Sequence, residues 1–597
     1  MRKSCLRIPA GISFPLMHRL AFILGIFWAS AAFAQSADAP LIKLDELTTG
    51  MKGEVWTVFR GTKPEPFEVE VTGVVRNALG PGKSLILCQL TDERVQKMGA
   101  VAGMSGSPLY VEGKLAGALS YQVQKFETVR YAGFTPIGDL LEVGEKSVVF
   151  AAQQNHEAGS LTRVQADAND GFRPLSPVFA FGGVAPRVVD WLKPQFAAHG
   201  LQVSALGGST VGNDGPLADT EPLRAGDAVA VAIASGDITL AATGTVSYVS
   251  GDQVVAFGHP MLSLGNVSLP MARAEIVTIL PSNESSLKVA NTGEIIGTID
   301  QDRLSAVAGR LGPGPEMIPV EITIASGDGP TRSLNFRAVR HPQLTPLAIG
   351  TGAAQAVLGS NDAGLANGAR LVAEFEFEGD ESVSTEMLFG GAQGVLQGLG
   401  DFARDVSALL QNPYASVFPS AIRVNVTPLE KNPVTTLEYV QLARNAVPGG
   451  GTQTVTVGWR DFQGQAGREI VNIPIDPAWQ GKQLDVVITN GSSLDQMTGR
   501  NFVATSAQLR SFPAYLDFVR RARSAEGLYV AVVESSRVFI DQSVESRDLP
   551  DSVARIAQRA DQNRYQNRVA LNAIWETRAL TDRLVPGLLR KSFRVED

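Results

Sequence analysis

From Gly50 to Val75 apolar and polar residues alternate on both sides of a turn rich in glycine and proline. A period of two sends successive side chains to opposite faces, which only an extended strand with one buried face satisfies. The segment therefore reads as a β-hairpin. Further runs of the same kind predict strands at Ser84–Leu90, Leu109–Val111, Leu115–Gln122 and Val148–Ala151. A second β block begins near Asp227, with strands expected at Ala228–Ala234, Leu240–Val249 and Val254–Phe257 and a turn at Ser250-Gly251-Asp252. Helical spacing appears at Arg187–His199, stopped by Gly200, and between Gly390 and Gln411, stopped by Asn412-Pro413. With 60 glycines, 33 prolines and 19% charged residues, the composition suits a turn-rich, mainly β chain.

A chain of 597 residues exceeds one hydrophobic core. The expected division is a signal peptide over 1–34, a β lobe over 35–160, a second β lobe over 161–345, and a β-rich connector with one helix over 346–435. An immunoglobulin-like sandwich over 436–505 and a mixed α/β region over 506–597 complete it. The sandwich rests on the alternating runs Thr452–Trp459, Glu469–Ile475 and Leu484–Thr489. The last region combines a helix around Ala507–Arg523, a strand at Leu528–Val533 and an Arg/Gln-rich stretch from Ser552 to Arg568.

Arg2, Lys3, Arg7 and Arg19 precede an apolar run from Leu20 to Trp28 and then Ala32-Phe33-Ala34, the layout of a secretory signal cleaved before Gln35. The run is too short to span a bilayer, which takes about 20 residues. Export to the periplasm or cell envelope of a Gram-negative-type bacterium is expected. Cleavage removes Cys5 and leaves Cys88 alone, so no intramolecular disulfide can form, and Cys88 reads as a buried strand residue. It also removes four basic and no acidic residues, leaving 48 basic against 60 acidic, a net −12 that argues against nucleic acid as partner. No other stretch is long and apolar enough for a transmembrane span.

The stretch that can carry chemistry is Gly103-Met104-Ser105-Gly106-Ser107-Pro108. Glycines around a serine let the backbone fold tightly behind the hydroxyl, so that the Gly103 and Ser105 amides can point at a developing oxyanion. A serine nucleophile needs a base, and the mature chain offers only His156, His199, His259 and His341. No His-Glu-x-x-His or other metal-ligand spacing occurs, and no cofactor is called for. Ser285-Ser286-Leu287-Lys288 satisfies Ser-x-x-Lys, but the companion Lys-Thr-Gly is absent and the match reads as chance.

The hexapeptide with its β context resembles the nucleophile loop of trypsin-like peptidases, and more closely that of the SpoIVB peptidase family. Thr243-Gly244-Thr245 followed by Ala256-Phe257-Gly258-His259 is similar to that family's histidine segment. The resemblance covers about residues 45–345. It implies two trypsin-like β lobes, Ser105 as nucleophile, His259 as base, and an aspartate shortly before the serine loop, where Asp92 stands. Asp92 either orients His259 or is an ordinary surface acid beside Glu93 and Arg94, with Asp237 in reserve. In the family the histidine precedes the serine; here the order is reversed. Chemistry demands geometry, not chain order. Two functions remain open: an exported serine endopeptidase acting on a protein or peptide, and an inactive periplasmic scaffold that binds a cell-envelope partner.

Overall fold

The structure is a computed structural model. It describes residues 39–596 apart from 124–128, 152–170, 176, 210–220, 283–285, 326–330, 360–366, 380, 413–416, 499–510, 542–543, 548–551 and 553–564. The expected signal peptide and its cleavage site, and most of the Arg/Gln-rich stretch, lie outside the described residues.

The chain is mainly β. The first hairpin forms as the alternation requires: β1 (Lys52–Thr57) and β2 (Glu65–Val75) pair antiparallel, with Phe67, Val69 and Val71 turned into the core. β3 (Leu85–Leu90), β4 (Pro108–Val111), β5 (Lys114–Val123) and β6 (Tyr131–Pro136) follow, with the short helix α1 (Glu93–Met98) between β3 and β4. The pairing order β4-β1-β2-β3-β6-β5, closed by β4 against β5, makes a six-stranded barrel. Closure leaves no free edges within the ring. A seventh strand, β7 (Phe172–Pro174), adds to the end of β5.

Val148–Ala151 is not a strand. It ends helix α2 (Ile137–Ala151), in which Ile137, Leu140 and Val143 bury one face. A short apolar run carries no period of its own, and here the preceding turns set it.

β8 (Val178–Gly182), α3 (Pro186–Ala198), β9 (Gln202–Ser204) and β10 (Gly207–Ser209) lead into a large mixed sheet. Next come β11 (Ala228–Gly236), β12 (Thr239–Ser250), β13 (Gln253–Ala256), β14 (Gly265–Leu280), β15 (Leu287–Arg303) and β16 (Ala306–Leu311). These six pair antiparallel in the order β11-β14-β15-β16-β13-β12, and β12 returns to β11, so a second ring closes inside the sheet. Counting strands from the start of each ring, both run one-two-three-six-five-four and back to one.

The sheet continues through β17 (Met317–Ile324), β18 (Arg332–Val339), β19 (Gly368–Phe377), β20 (Glu381–Gly390) and β21 (Ala421–Pro428). Helices α4 (Leu344–Ala354) and α5 (Gly391–Leu410) pack with this part into the main core. The strands β19–β21, within the expected connector, thus belong to the same sheet as the second ring.

Beyond Thr435 two sheets share one core. Thr435–Leu442, Thr452–Asp461 and Ala466–Pro474 form the smaller. In the other, Gln483–Thr489 lies between Leu528–Asp541 and Leu588–Glu596, so strands from both sides of residue 505 build it.

The two rings meet over small and aromatic side chains. Val58 packs with Ala230, Ala241, Ala272 and Ala274, where alanines allow close approach. Trp56, Tyr110 and Ala118 of the first ring meet Val255, Ala306 and Ala308 of the second around α2.

Candidate active site

Ser105 and His259 occupy equivalent places. Ser105 lies in the connection from the third to the fourth strand of the first ring, and His259 in the connection from the third to the fourth of the second. The structure sets the serine connection against β12 of the second ring and against Phe257, at the head of the histidine connection. Thr245 N donates to Ser105 O at 2.8 Å, Thr245 Oγ1 to Gly103 O at 3.1 Å, and Ser247 Oγ to Gly106 O at 2.8 Å. Gly106 has φ +94° and sits against Phe257 N, so the serine turn is possible only without a side chain there.

Strand β5 anchors both segments. Gly106 N donates to Leu119 O at 2.7 Å. Gly258, with φ +66°, rests on Ala118 and Ser120, and its carbonyl accepts from Thr135 Oγ1 at 2.7 Å; that hydroxyl also meets Ser120 Oγ at 2.8 Å. Just ahead of His259, fully buried Phe257 has φ +69°, a left-handed conformation that costs a bulky residue roughly 1–3 kcal/mol. Gly244 makes room for its ring, 2.7 Å from where a Cβ would stand.

Both side chains are almost fully buried, Ser105 at 1% exposure and His259 at 0%. Ser105 Oγ and His259 Nε2 have no hydrogen-bond partner. Burying a hydroxyl or an imidazole nitrogen unpaired is costly. His259 Nδ1 lies 2.8 Å from Pro260 O. A carbonyl can only accept, so this contact favours the tautomer with the proton on Nδ1 and the lone pair on Nε2. Burial pushes the imidazole down to about 4, against the opposing pull of the Pro260 and Leu175 backbones, so the ring is neutral at neutral pH.

The serine loop divides its amides. Those of Ala102, Met104, Gly106 and Ser107 are bonded to Ser286 O, Val101 O, Leu119 O and Met104 O, at 2.7–3.0 Å. Among the described residues, the Gly103 and Ser105 amides donate to no group. These are the two that the sequence singled out for an oxyanion.

Asp92 goes elsewhere. Its carboxylate caps α1 through Arg94 N at 2.8 Å and pairs with the Arg94 guanidinium, which holds it below the usual carboxylate range. Asp237 accepts from Asn335 N at 2.7 Å. The Nδ1 bond of His259 goes to Pro260, and neither acid shares it. Sequence reasoning missed Asp302, fully buried at the end of β15. It accepts from Met261 N at 2.7 Å, Leu262 N at 2.8 Å and Leu264 N at 3.1 Å, and so fixes the loop that leaves His259. Nothing in the sequence distinguishes it from any other acid in a strand. Lys288, which the sequence offered only in a chance Ser-x-x-Lys match, packs its stem on Gly103, and its Nζ donates to Thr57 Oγ1 at 2.8 Å.

Among the described residues no three of His, Cys, Asp and Glu cluster as a metal site, and no helix is long and apolar enough to cross a membrane. The model of the SpoIVB peptidase S55 family matches residues 24–134, a stretch that contains the serine loop but not His259. No curated protein and no solved structure matches the chain.

Proposed function

From the match of residues 24–134 to that serine peptidase family, we propose that the chain is an exported serine endopeptidase whose site is shared by two trypsin-like lobes. The observation that carries this reading is the pair of buried, unpaired atoms, Ser105 Oγ and His259 Nε2, on contacting connections of the two rings. Nε2 takes the proton as Ser105 Oγ bonds to the scissile carbonyl carbon. The carbonyl oxygen becomes an oxyanion toward which the free Gly103 and Ser105 amides are available. His259 returns the proton to the leaving amine as the C–N bond breaks, and water then releases the acyl group by the same route. Asp302 serves by holding the Met261–Leu264 loop, so no carboxylate on the imidazole is invoked.

A fluorophosphonate probe tests it. Wild type should be labelled, while Ser105→Ala is not and His259→Ala is labelled at least about a hundredfold more slowly, the usual scale of general-base help. A wild type that resists labelling under all conditions would instead favour the inactive scaffold. Export belongs to the same proposal: mass spectrometry of exported protein should find the first residue at Gln35 or within a few positions of it.

A further inference from the structure

A peptide cleaved at this site must lay its backbone beside Ser105 and His259, and the cheapest way is to add a strand to the nearest open edge. The end of β5 offers that edge, because β5 holds both the serine loop, through Leu119, and the histidine segment, through Ala118 and Ser120. The edge is occupied by the chain itself. Phe172, Arg173 and Pro174 pair antiparallel with Val123, Gln122 and Tyr121, and Leu175 N donates to Ser120 O at 2.9 Å.

Leu175 then turns inward. Its side chain is 3% exposed and belongs to the buried cluster that includes Met104 and Leu119, the residues next to Ser105 and Ser120. Its backbone reaches the His259 ring. An extended tetrapeptide thus ends with a leucine in an apolar recess, its amide fixed one residue from the anchor of the serine loop, beside the imidazole.

We propose that Phe172–Leu175 occupies the peptide-binding strand of the site, so that the substrates are extended peptides with a leucine-sized aliphatic residue in the Leu175 recess, and the site opens only when this segment leaves. The inference rests on the peptidase reading. It accounts for the burial of both reactive atoms: with the recess filled, neither meets solvent. A site whose competent form is a minor population reacts in proportion to that population, so weakening the occupant raises reactivity.

The test uses the full chain and the rate at which a fluorophosphonate labels Ser105. Leu175→Ala should be labelled about tenfold faster than wild type. Acetyl-Phe-Arg-Pro-leucinal should protect Ser105 at concentrations about tenfold below those needed of the matching argininal, as burying an arginine in an apolar recess demands. Because Leu175→Ala could disturb the barrel core, hydrogen exchange is read on wild type as well. The Leu175 amide, slow in the free protein, should exchange faster when leucinal is bound. If wild type is labelled but Leu175→Ala reacts no faster and leucinal leaves Leu175 protected, the segment does not occupy the site, and the peptidase reading stands without it. Equal protection by the argininal overturns the aliphatic preference. If no chain is labelled, the peptidase reading falls and takes this inference with it.

Discussion

Gly106 lies against Phe257: a Cβ on the glycine would stand 2.5 Å from Phe257 N, with the Thr245 carbonyl closer still. Both partners are backbone and cannot rotate away. Gly106→Ala should therefore part the serine loop from the second ring, and its φ of +94° adds strain of its own. The expected cost is about 2–4 kcal/mol, read as a lower urea midpoint at unchanged slope. Ser107→Ala, which loses only a hydroxyl bonded to Met104 O at 2.6 Å, should cost about 1 kcal/mol.

His259 makes stability depend on acid. Its folded pKa of about 4 lies below the unfolded value of about 6.5, so protons bind the unfolded chain more readily. The stability from the neutral buried ring is fully present above about pH 6.5 and lost as pH falls through 4, in total about 3 kcal/mol. Urea unfolding from pH 7 to pH 4 should show this slope in wild type and lose most of it in His259→Asn. A wild-type slope unchanged by the substitution would contradict the burial of the ring.

Lys288 acts in the alkaline range. Burial pulls its amine down to about 7 from 10.5, so the folded chain holds it neutral while the unfolded chain is still charged. Its contribution is complete above about pH 10.5 and is lost as pH falls to 7. Lys288→Met should stabilise the protein at pH 7 by about 1–3 kcal/mol and by less at pH 10. Calorimetry at the two pH values checks the difference.

Cys88 lies on β3 at 0% exposure, and burial pushes its thiol well up. Native protein should resist iodoacetamide at pH 8, whereas protein in urea should react at once. Rapid native alkylation would contradict a closed first barrel.

The serine and histidine segments stand out in the sequence as short strings, with Gly103, Gly106 and Gly258 at positive φ, while Phe257, also at positive φ, carries no sequence signal of it. The hairpin and the helix Gly391–Leu410 were legible from period alone. What stayed hidden is non-local. The return of β12 to β11 joins strands that also read as a plain hairpin, and nothing in Ala228–Ala234 announces a ring. Asp302 reads like any acid in a strand until the amides of Met261, Leu262 and Leu264 fold over it. Asp92 kept its expected place along the chain, but Arg94, two residues on, claimed its carboxylate. Leu175, isolated between prolines, shows no alternation at all.

The shared strand order of the two rings also bears on the reversed order of serine and histidine. When two copies of one topology meet through corresponding connections, swapping which copy is translated first leaves the meeting point unchanged.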